Sequence, residues 1–122
     1  MKVTIKKDKD GNEIRRDYEI YQGDTFGFVA NPVNAEQGIV SGFVFKLGVV
    51  KDDTLIEQVY EQEFFLNDEG KYLLSVPSEE TAKWQPSGDI EYKYEIETHF
   101  ADGNQETAKT GNFKVEPQIT EA

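Results

Sequence analysis

Residues 90–100, with the sequence IEYKYEIETHF, show the strongest periodic pattern in the chain. Apolar or aromatic residues and one threonine hold the even positions, and charged residues or histidine hold the odd ones. A strand places successive side chains on opposite faces, whereas a helix would scatter both classes around its circumference. The pattern therefore predicts a strand. Its predicted inward residues are Ile90, Tyr92, Tyr94, Ile96 and Phe100, and its predicted outward residues are Glu91, Lys93, Glu95 and Glu97.

Asp-Gly pairs predict two tight hairpins. Asp102-Gly103 follows this strand directly, and Asp10-Gly11 lies between two short runs near the start of the chain. Glycine readily adopts the positive φ angles that a tight hairpin turn needs. A further strand at residues 25–30 is expected to stop at Asn31-Pro32, because proline cannot donate to a strand ladder.

Two longer runs, residues 39–50 and 55–66, are separated by polar residues 51–54 and predict the longest hairpin. Both faces of the first run are apolar, so this strand is expected near the centre of a sheet. A helix over residues 55–65 is the alternative for the second run. In the first run, one side is predicted to carry Ile39, Phe43, Phe45, Leu47 and Val49, and the other side Val40, Val44 and Val50. In the second run, the predicted inward residues are Ile56, Tyr60, Phe64 and Leu66.

The elements together predict the fold class and a single domain. One short helical segment is expected at residues 78–84, where Ser78 can cap the helix. About eight strands, turn signals roughly every ten residues and no long helix favour an all-β antiparallel sandwich, with a barrel as the alternative. A length of 122 residues fits one domain, expected at residues 1–116, with a tail or linker at residues 117–122.

Charge and the lack of cysteine exclude several classes of function. With 24 acidic and 13 basic residues the formal net charge is −11, so nucleic acid and anionic membranes would be repelled. The absence of cysteine excludes disulfides, zinc–thiolate sites and thiol nucleophiles. No apolar run resembles a signal peptide or approaches the roughly 18–20 residues of a membrane span. Neither a nucleic acid nor a membrane is therefore expected as a partner.

No set of residues in the sequence predicts catalysis. His99 is the only histidine, and a solvated side chain on the polar face of its strand is the simpler interpretation. Asp8, Asp10 and Asn12 alternate as calcium ligands can, but their register does not fit an EF-hand loop and turn chemistry explains them. The chain is therefore predicted to be no enzyme and to use no metal or cofactor.

Aromatic side chains are the remaining candidates for contact with a ligand or partner. Exposed rings can stack on sugar faces, and core packing is the alternative for each ring. For Trp84, at the end of the predicted helical segment, core packing at the end of the sandwich is favoured. The candidate contact residues are Trp84, Tyr18, Tyr21, Tyr60 and Tyr72.

Several segments, taken in order, resemble the immunoglobulin-like β-sandwich domains of tailed-phage virion proteins, especially the N-terminal domain of phage baseplate upper proteins. The chain departs from that family's pattern at Asp89-Ile90-Glu91, because the family runs from a glycine almost directly into the tyrosines. The segments that carry the resemblance are residues 23–28 (GDTFGF), 41–47 (SGFVFKL), 70–76 (GKYLLSV) followed by 78–84, 92–96 (YKYEI), 102–103 and 110–115 (TGNFKV).

The resemblance implies an immunoglobulin-like sandwich that serves as a non-catalytic structural or assembly module of a phage or prophage tail or baseplate. Its partners would be other virion proteins or further copies of itself. Such a protein would be made in the host bacterial cytoplasm without a signal peptide and would reside in the virion. It would expose an apolar patch at a sheet edge or face. The alternative is a carbohydrate- or cell-surface-binding sandwich with exposed rings, which burial of Trp84 and Tyr94 would weaken.

Overall fold

The computed structural model describes residues 1–30 and 39–118, which form eight strands and one short helix. The strands are β1 (Lys2–Lys7), β2 (Glu13–Tyr21), β3 (Phe26–Ala30), β4 (Val40–Lys51), β5 (Thr54–Phe64), β6 (Tyr72–Val76), β7 (Glu91–Phe100) and β8 (Gln105–Glu116), and the helix is α1 (Ser78–Thr81).

The strands form a large sheet of six strands and a small sheet of two. The order in the large sheet is β1-β2-β8-β7-β4-β5, and β3 pairs with β6 in the small sheet. All neighbouring strands are antiparallel except β2 and β8, which run parallel. The immunoglobulin arrangement places strands B and E in one sheet and C, F and G in the other. Here β3 and β6 correspond to strands B and E, and β4, β7 and β8 correspond to strands C, F and G.

The predicted fold class, an all-β immunoglobulin-like sandwich with one short helical turn, is therefore confirmed. The large sheet is mixed rather than wholly antiparallel, because β2 and β8 run parallel to each other. As predicted, β4 lies inside the sheet, between β7 and β5.

A cluster of aromatic rings fills the space between the two sheets. Phe45 of β4 is fully buried, and its ring centroid lies 5.7 Å from that of Phe26 in β3 and 6.0 Å from that of Tyr94 in β7. The ring of Tyr18 in β2 lies 5.3 Å from Phe26 and 5.2 Å from Tyr94. Aromatic pairs at such distances attract one another beyond the area that they bury. The aromatic cluster therefore links three strands of the large sheet to β3.

Two tyrosine hydroxyls of β7 bind backbone carbonyls elsewhere in the chain. Tyr92 donates to the carbonyl of Gln85 at 2.5 Å, which forms the tyrosine corner found in immunoglobulin-like sandwiches. Tyr94 lies opposite Gly111 of β8 and donates to the carbonyl of Arg16 in β2. Burial raises the pKa of both phenols further above neutral pH.

The predicted hairpin turns and the helical segment are confirmed. The predicted cap is wrong, because Ser78 is the first residue of the helix, Pro77 holds the N-cap position and, among the described residues, no side-chain hydrogen bond caps the helix. Gly11 and Gly103 adopt positive φ angles at the two Asp-Gly turns. The turn from β4 to β5 contains Asp52 and Asp53, which also adopt positive φ angles. Residues 55–64 pair with β4 as a strand, so the alternative of a helix there is wrong. After α1, backbone hydrogen bonds continue the turn as far as Trp84.

Three side-chain assignments in the longest hairpin are wrong. A β-bulge near the start of β4 shifts the alternation, so Ile39 is exposed and Val40 packs against the core instead. Bulges in the pairing of β4 with β5 likewise leave Ile56 exposed. Leu66 is exposed because it lies beyond the end of β5, in an isolated bridge with Tyr72.

Two predictions fall partly outside the described residues. The stop at Asn31-Pro32 lies just after the end of β3 at Ala30, and the tail continues beyond Gln118. The domain boundaries stay a prediction. Within residues 1–30 and 39–118, no helix has the length and apolar character needed to cross a membrane.

Candidate functional site

The five candidate aromatic residues do not form one exposed platform. Tyr18 and Trp84 are buried in the core, and Tyr60 and Tyr72 are half-buried against it. Tyr21, at the end of β2, is the one of the five with most of its side chain in water. Burial therefore leaves Tyr21, and parts of Tyr60 and Tyr72, able to contact a ligand.

Trp84 packs as core, as the sequence favours. Its ring centroid lies 5.6 Å from that of Tyr60 and 5.8 Å from that of Phe113. Its indole N–H donates to Glu80, and its carbonyl accepts a hydrogen bond from the side chain of Gln22 at 2.8 Å. The polar atoms of Trp84 are thus bonded within the chain, and its apolar surface is covered.

A charged cluster lies on the outer face of the large sheet, the face turned away from β3 and β6. The Nζ of Lys46 in β4 lies 2.7 Å from one carboxylate oxygen of Glu97 in β7, and the Nε2 of His99 lies 3.1 Å from the other. The prediction that Glu97 lies in water is wrong: it faces outward but is buried between these neighbours. The alternation of side chains along β7 predicts that Glu97 faces outward. Its ion pair with Lys46 depends on the pairing of β4 with β7, which the sequence of one strand does not show.

The hydrogen bond from Lys46 holds the pKa of Glu97 below its ordinary value, and His99 acts in the same direction. A carboxyl group with a lowered pKa stabilises the folded state above its unfolded pKa of about 4.3, and this stabilisation is lost as the pH falls through the folded pKa. The Glu97→Gln variant has no such group. We therefore expect the urea midpoint of the unaltered chain to fall further between pH 7 and pH 3 than that of Glu97→Gln.

The matched control for this prediction is Glu91→Gln, since Glu91 lies on the same face of β7 but is exposed. We expect its urea midpoint to follow that of the unaltered chain with pH. If Glu97→Gln loses as much stability on acidification as the unaltered chain, the ion pair makes no pH-dependent contribution.

A groove of about 350 Å³ opens where β2 and β8 diverge ahead of their parallel pairing. Its lining includes Arg16 and Lys109, but both lie beside the carboxylate of Glu13, at 2.7 Å and 3.9 Å respectively. Arg15, the third basic residue of the lining, lies 3.1 Å from Asp17. Each basic group of the groove therefore has a carboxylate of the same chain beside it, which does not favour an anion site.

The oxygen-rich turn at residues 8–12 is held by its own hydrogen bonds. The Oδ1 of Asp8 accepts from the backbone N–H groups of Asp10 and Asn12, at 2.9 Å and 3.0 Å. This is the turn chemistry that explains the Asp-Gly motif without a cation. Over the described ranges, no three His, Asp or Glu side chains are grouped so that they could hold a metal ion.

The edge strands of the large sheet expose apolar side chains. In β1, Val3 and Ile5 are 40% and 44% exposed, and in β5, Leu55 and Ile56 are 60% and 61% exposed. Within the described part of the chain, β1 has a sheet partner on one side only, β2, and β5 likewise has only β4. We call these strands the β1 edge (Lys2–Lys7) and the β5 edge (Thr54–Phe64). The sequence predicts an apolar patch at a sheet edge or face but does not identify the strands that carry it.

Comparison with known proteins identifies no family. No protein-family model matches the chain, and no curated protein matches it. Among solved structures, the chain is similar to murine CRIg, with 11% sequence identity and a TM-score of 0.41 over 98% of this chain and 100% of that one.

Proposed function

We propose that this chain is a non-catalytic module that acts through protein–protein contacts made by the edges of its large sheet. The observation that carries the proposal is the exposure of apolar side chains along both edge strands, Val3 and Ile5 on one side and Leu55 and Ile56 on the other. An edge strand presents unpaired backbone N–H and C=O groups, which can add a strand from another chain. Covering these apolar side chains would add to the stability of such a contact.

We propose further that the contacts belong to a phage or prophage virion, in its tail or baseplate. The support is the ordered resemblance of short segments to domains of tailed-phage virion proteins, namely residues 23–28, 41–47, 70–76, 78–84, 92–96, 102–103 and 110–115. A sandwich with an aromatic core agrees with that resemblance. The net charge of −11 favours a protein partner over nucleic acid or an anionic membrane.

A carbohydrate-binding role has weaker support. It requires several exposed rings on one face, but Trp84 and Tyr94 are each only 2% exposed. Tyr21 remains accessible, and a single exposed ring does not make a stacking platform.

The test is a binding experiment with purified virion proteins encoded beside this chain. We expect light scattering to detect a complex of defined stoichiometry, with such a protein or with further copies of the chain. Ile5→Glu and Ile56→Lys each replace an apolar side chain on one edge with a charged one, and each is expected to weaken the complex about tenfold or more.

The matched control is Val29→Lys, which alters an exposed β-branched residue of the small sheet, 46% exposed and away from both edges. This variant is expected to bind as the unaltered chain does. A chain that forms no complex with itself or with any virion protein contradicts the proposed function, as does a complex that tolerates both edge substitutions.

A further inference from the structure

The two edges of the large sheet run in the same direction. Across the sheet from β1 to β5 there are five pairs of neighbouring strands, of which four are antiparallel and one is parallel. The strand direction therefore reverses four times, an even number, and β1 and β5 point the same way. A second copy that continues the sheet, with its core face on the same side, would therefore bring its β1 beside β5 of the first copy as a parallel neighbour.

The β1 edge is basic. Its sequence, KVTIKK, contains three lysines and no acidic residue, and all six residues are exposed. Val3 lies opposite the buried Tyr18, so Val3 and Ile5 face the core side of the sheet. Lys2 and Lys6 consequently lie on the outer face.

The β5 edge is acidic. Its sequence, TLIEQVYEQEF, contains three glutamates and no basic residue. Glu61 lies opposite Lys46 and Glu63 lies opposite Val44, and both partners are on the outer face of β4. Glu61 and Glu63 therefore project from the same face of the sheet as Lys2 and Lys6.

We propose that the β1 edge of one copy pairs with the β5 edge of a second copy and so extends the large sheet from one molecule to the next. This inference rests on the proposed function and names its partner, a second copy of this chain. Charge complementarity supports this pairing, because lysines on one edge meet glutamates on the other, on one common face. Pairing β5 with another β5, or β1 with another β1, would bring like charges together, which is unfavourable between adjacent strands.

The contact joins two different surfaces, so each copy keeps one free edge after pairing. Repetition of such a contact gives a closed ring or an open filament, depending on the rotation between copies. The net charge of −11 opposes association at long range. At about 0.15 M salt the Debye length is about 8 Å, which screens that repulsion more than it screens charges in direct contact.

The experiment reverses the charge of each edge in turn. One variant is Lys2→Glu with Lys6→Glu, and the other is Glu61→Lys with Glu63→Lys. Light scattering over a concentration series at about 0.15 M salt is expected to show association of the unaltered chain and association about tenfold weaker for each variant alone. In an equimolar mixture each acidic edge again meets a basic one, so association is expected to return.

Controls separate this effect from net charge and from misfolding. Lys71→Glu with Lys83→Glu changes the net charge as much as Lys2→Glu with Lys6→Glu does, at exposed lysines outside both edge strands, and is expected to associate like the unaltered chain. Should a double variant fail to fold by circular dichroism, Lys6→Glu and Glu63→Lys form a milder pair, because their partners are Arg15 and Val44.

The self-pairing is overturned if the unaltered chain stays monomeric, or if folded variants fail to associate when mixed. A monomeric chain that still binds a virion protein contradicts the self-pairing alone. A chain that binds neither itself nor a virion protein contradicts the proposed function as well.

Discussion

We expect Phe45→Ala to lower the free energy of unfolding by about 3–5 kcal/mol, the usual cost of truncating a fully buried phenylalanine. Phe45 is wholly inaccessible to solvent, and its ring contacts rings on both sheets, with Phe28 6.2 Å away in addition to Phe26 and Tyr94. Alanine would leave a cavity where β4 meets β3. Because small domains are stable by only about 5–15 kcal/mol, this single change removes a large share of the total. Urea unfolding followed by tyrosine and tryptophan fluorescence measures the loss.

Phe65→Ala is the matched control, because it removes the same side chain from a position that is 58% exposed, just after the end of β5. We expect it to cost much less, since little of that ring leaves water on folding. Equal losses from the two variants would contradict the placement of Phe45 at the centre of the aromatic cluster.

We expect Gly111→Ala to destabilise the junction between β2 and β8. A Cβ atom at this position would lie 2.3 Å from the carbonyl oxygen of Arg16 and 2.6 Å from the ring of Tyr94. Overpacking of this kind typically costs about 1–3 kcal/mol. A displaced Tyr94 ring would also lose its hydrogen bond to the carbonyl of Arg16. Tyr94 is buried, and a buried polar group left without its partner typically costs about 1–3 kcal/mol.

Gly88→Ala controls for the added methyl group, because nothing lies within 4 Å of a Cβ atom at that position. Thermal unfolding is expected to show a clearly lower midpoint for Gly111→Ala and a nearly unchanged one for Gly88→Ala. If the two variants unfold at the same temperature, Tyr94 does not need the close approach at Gly111 to reach β2.

The sequence predicts single strands better than it predicts which strands are neighbours. The alternation in residues 90–100 is strong enough to assign β7 and its core face, and Asp-Gly chemistry locates the turns at Gly11 and Gly103. The parallel pairing of β2 with β8 joins segments about 95 residues apart, as in the hydrogen bond from the Asn112 N–H to Asp17. Side-chain periodicity within a strand carries no information about such a neighbour.

The misassigned residues have a related cause. Whether Ile39 or Ile56 faces the core depends on bulges, which arise from the fit between two paired strands rather than from one strand's pattern. Glu97 faces outward, as its odd position in the alternating strand β7 predicts, but its burial depends on Lys46 of the neighbouring strand. The candidate surface has the same dependence: the resemblance to virion proteins implies an apolar patch at a sheet edge or face, whereas the identity of the edge strands depends on the sheet order.

Amide hydrogen exchange, measured by mass spectrometry on the free chain and on its complex, tests most directly whether this domain acts through its sheet edges. In the free chain we expect slow exchange in β4 and β7, which have neighbours on both sides, and faster exchange in the edge strands β1 and β5. In the complex we expect added protection in β1, β5 or both, with β3 and β6 unchanged. Added protection confined to β3 and β6 would contradict the account.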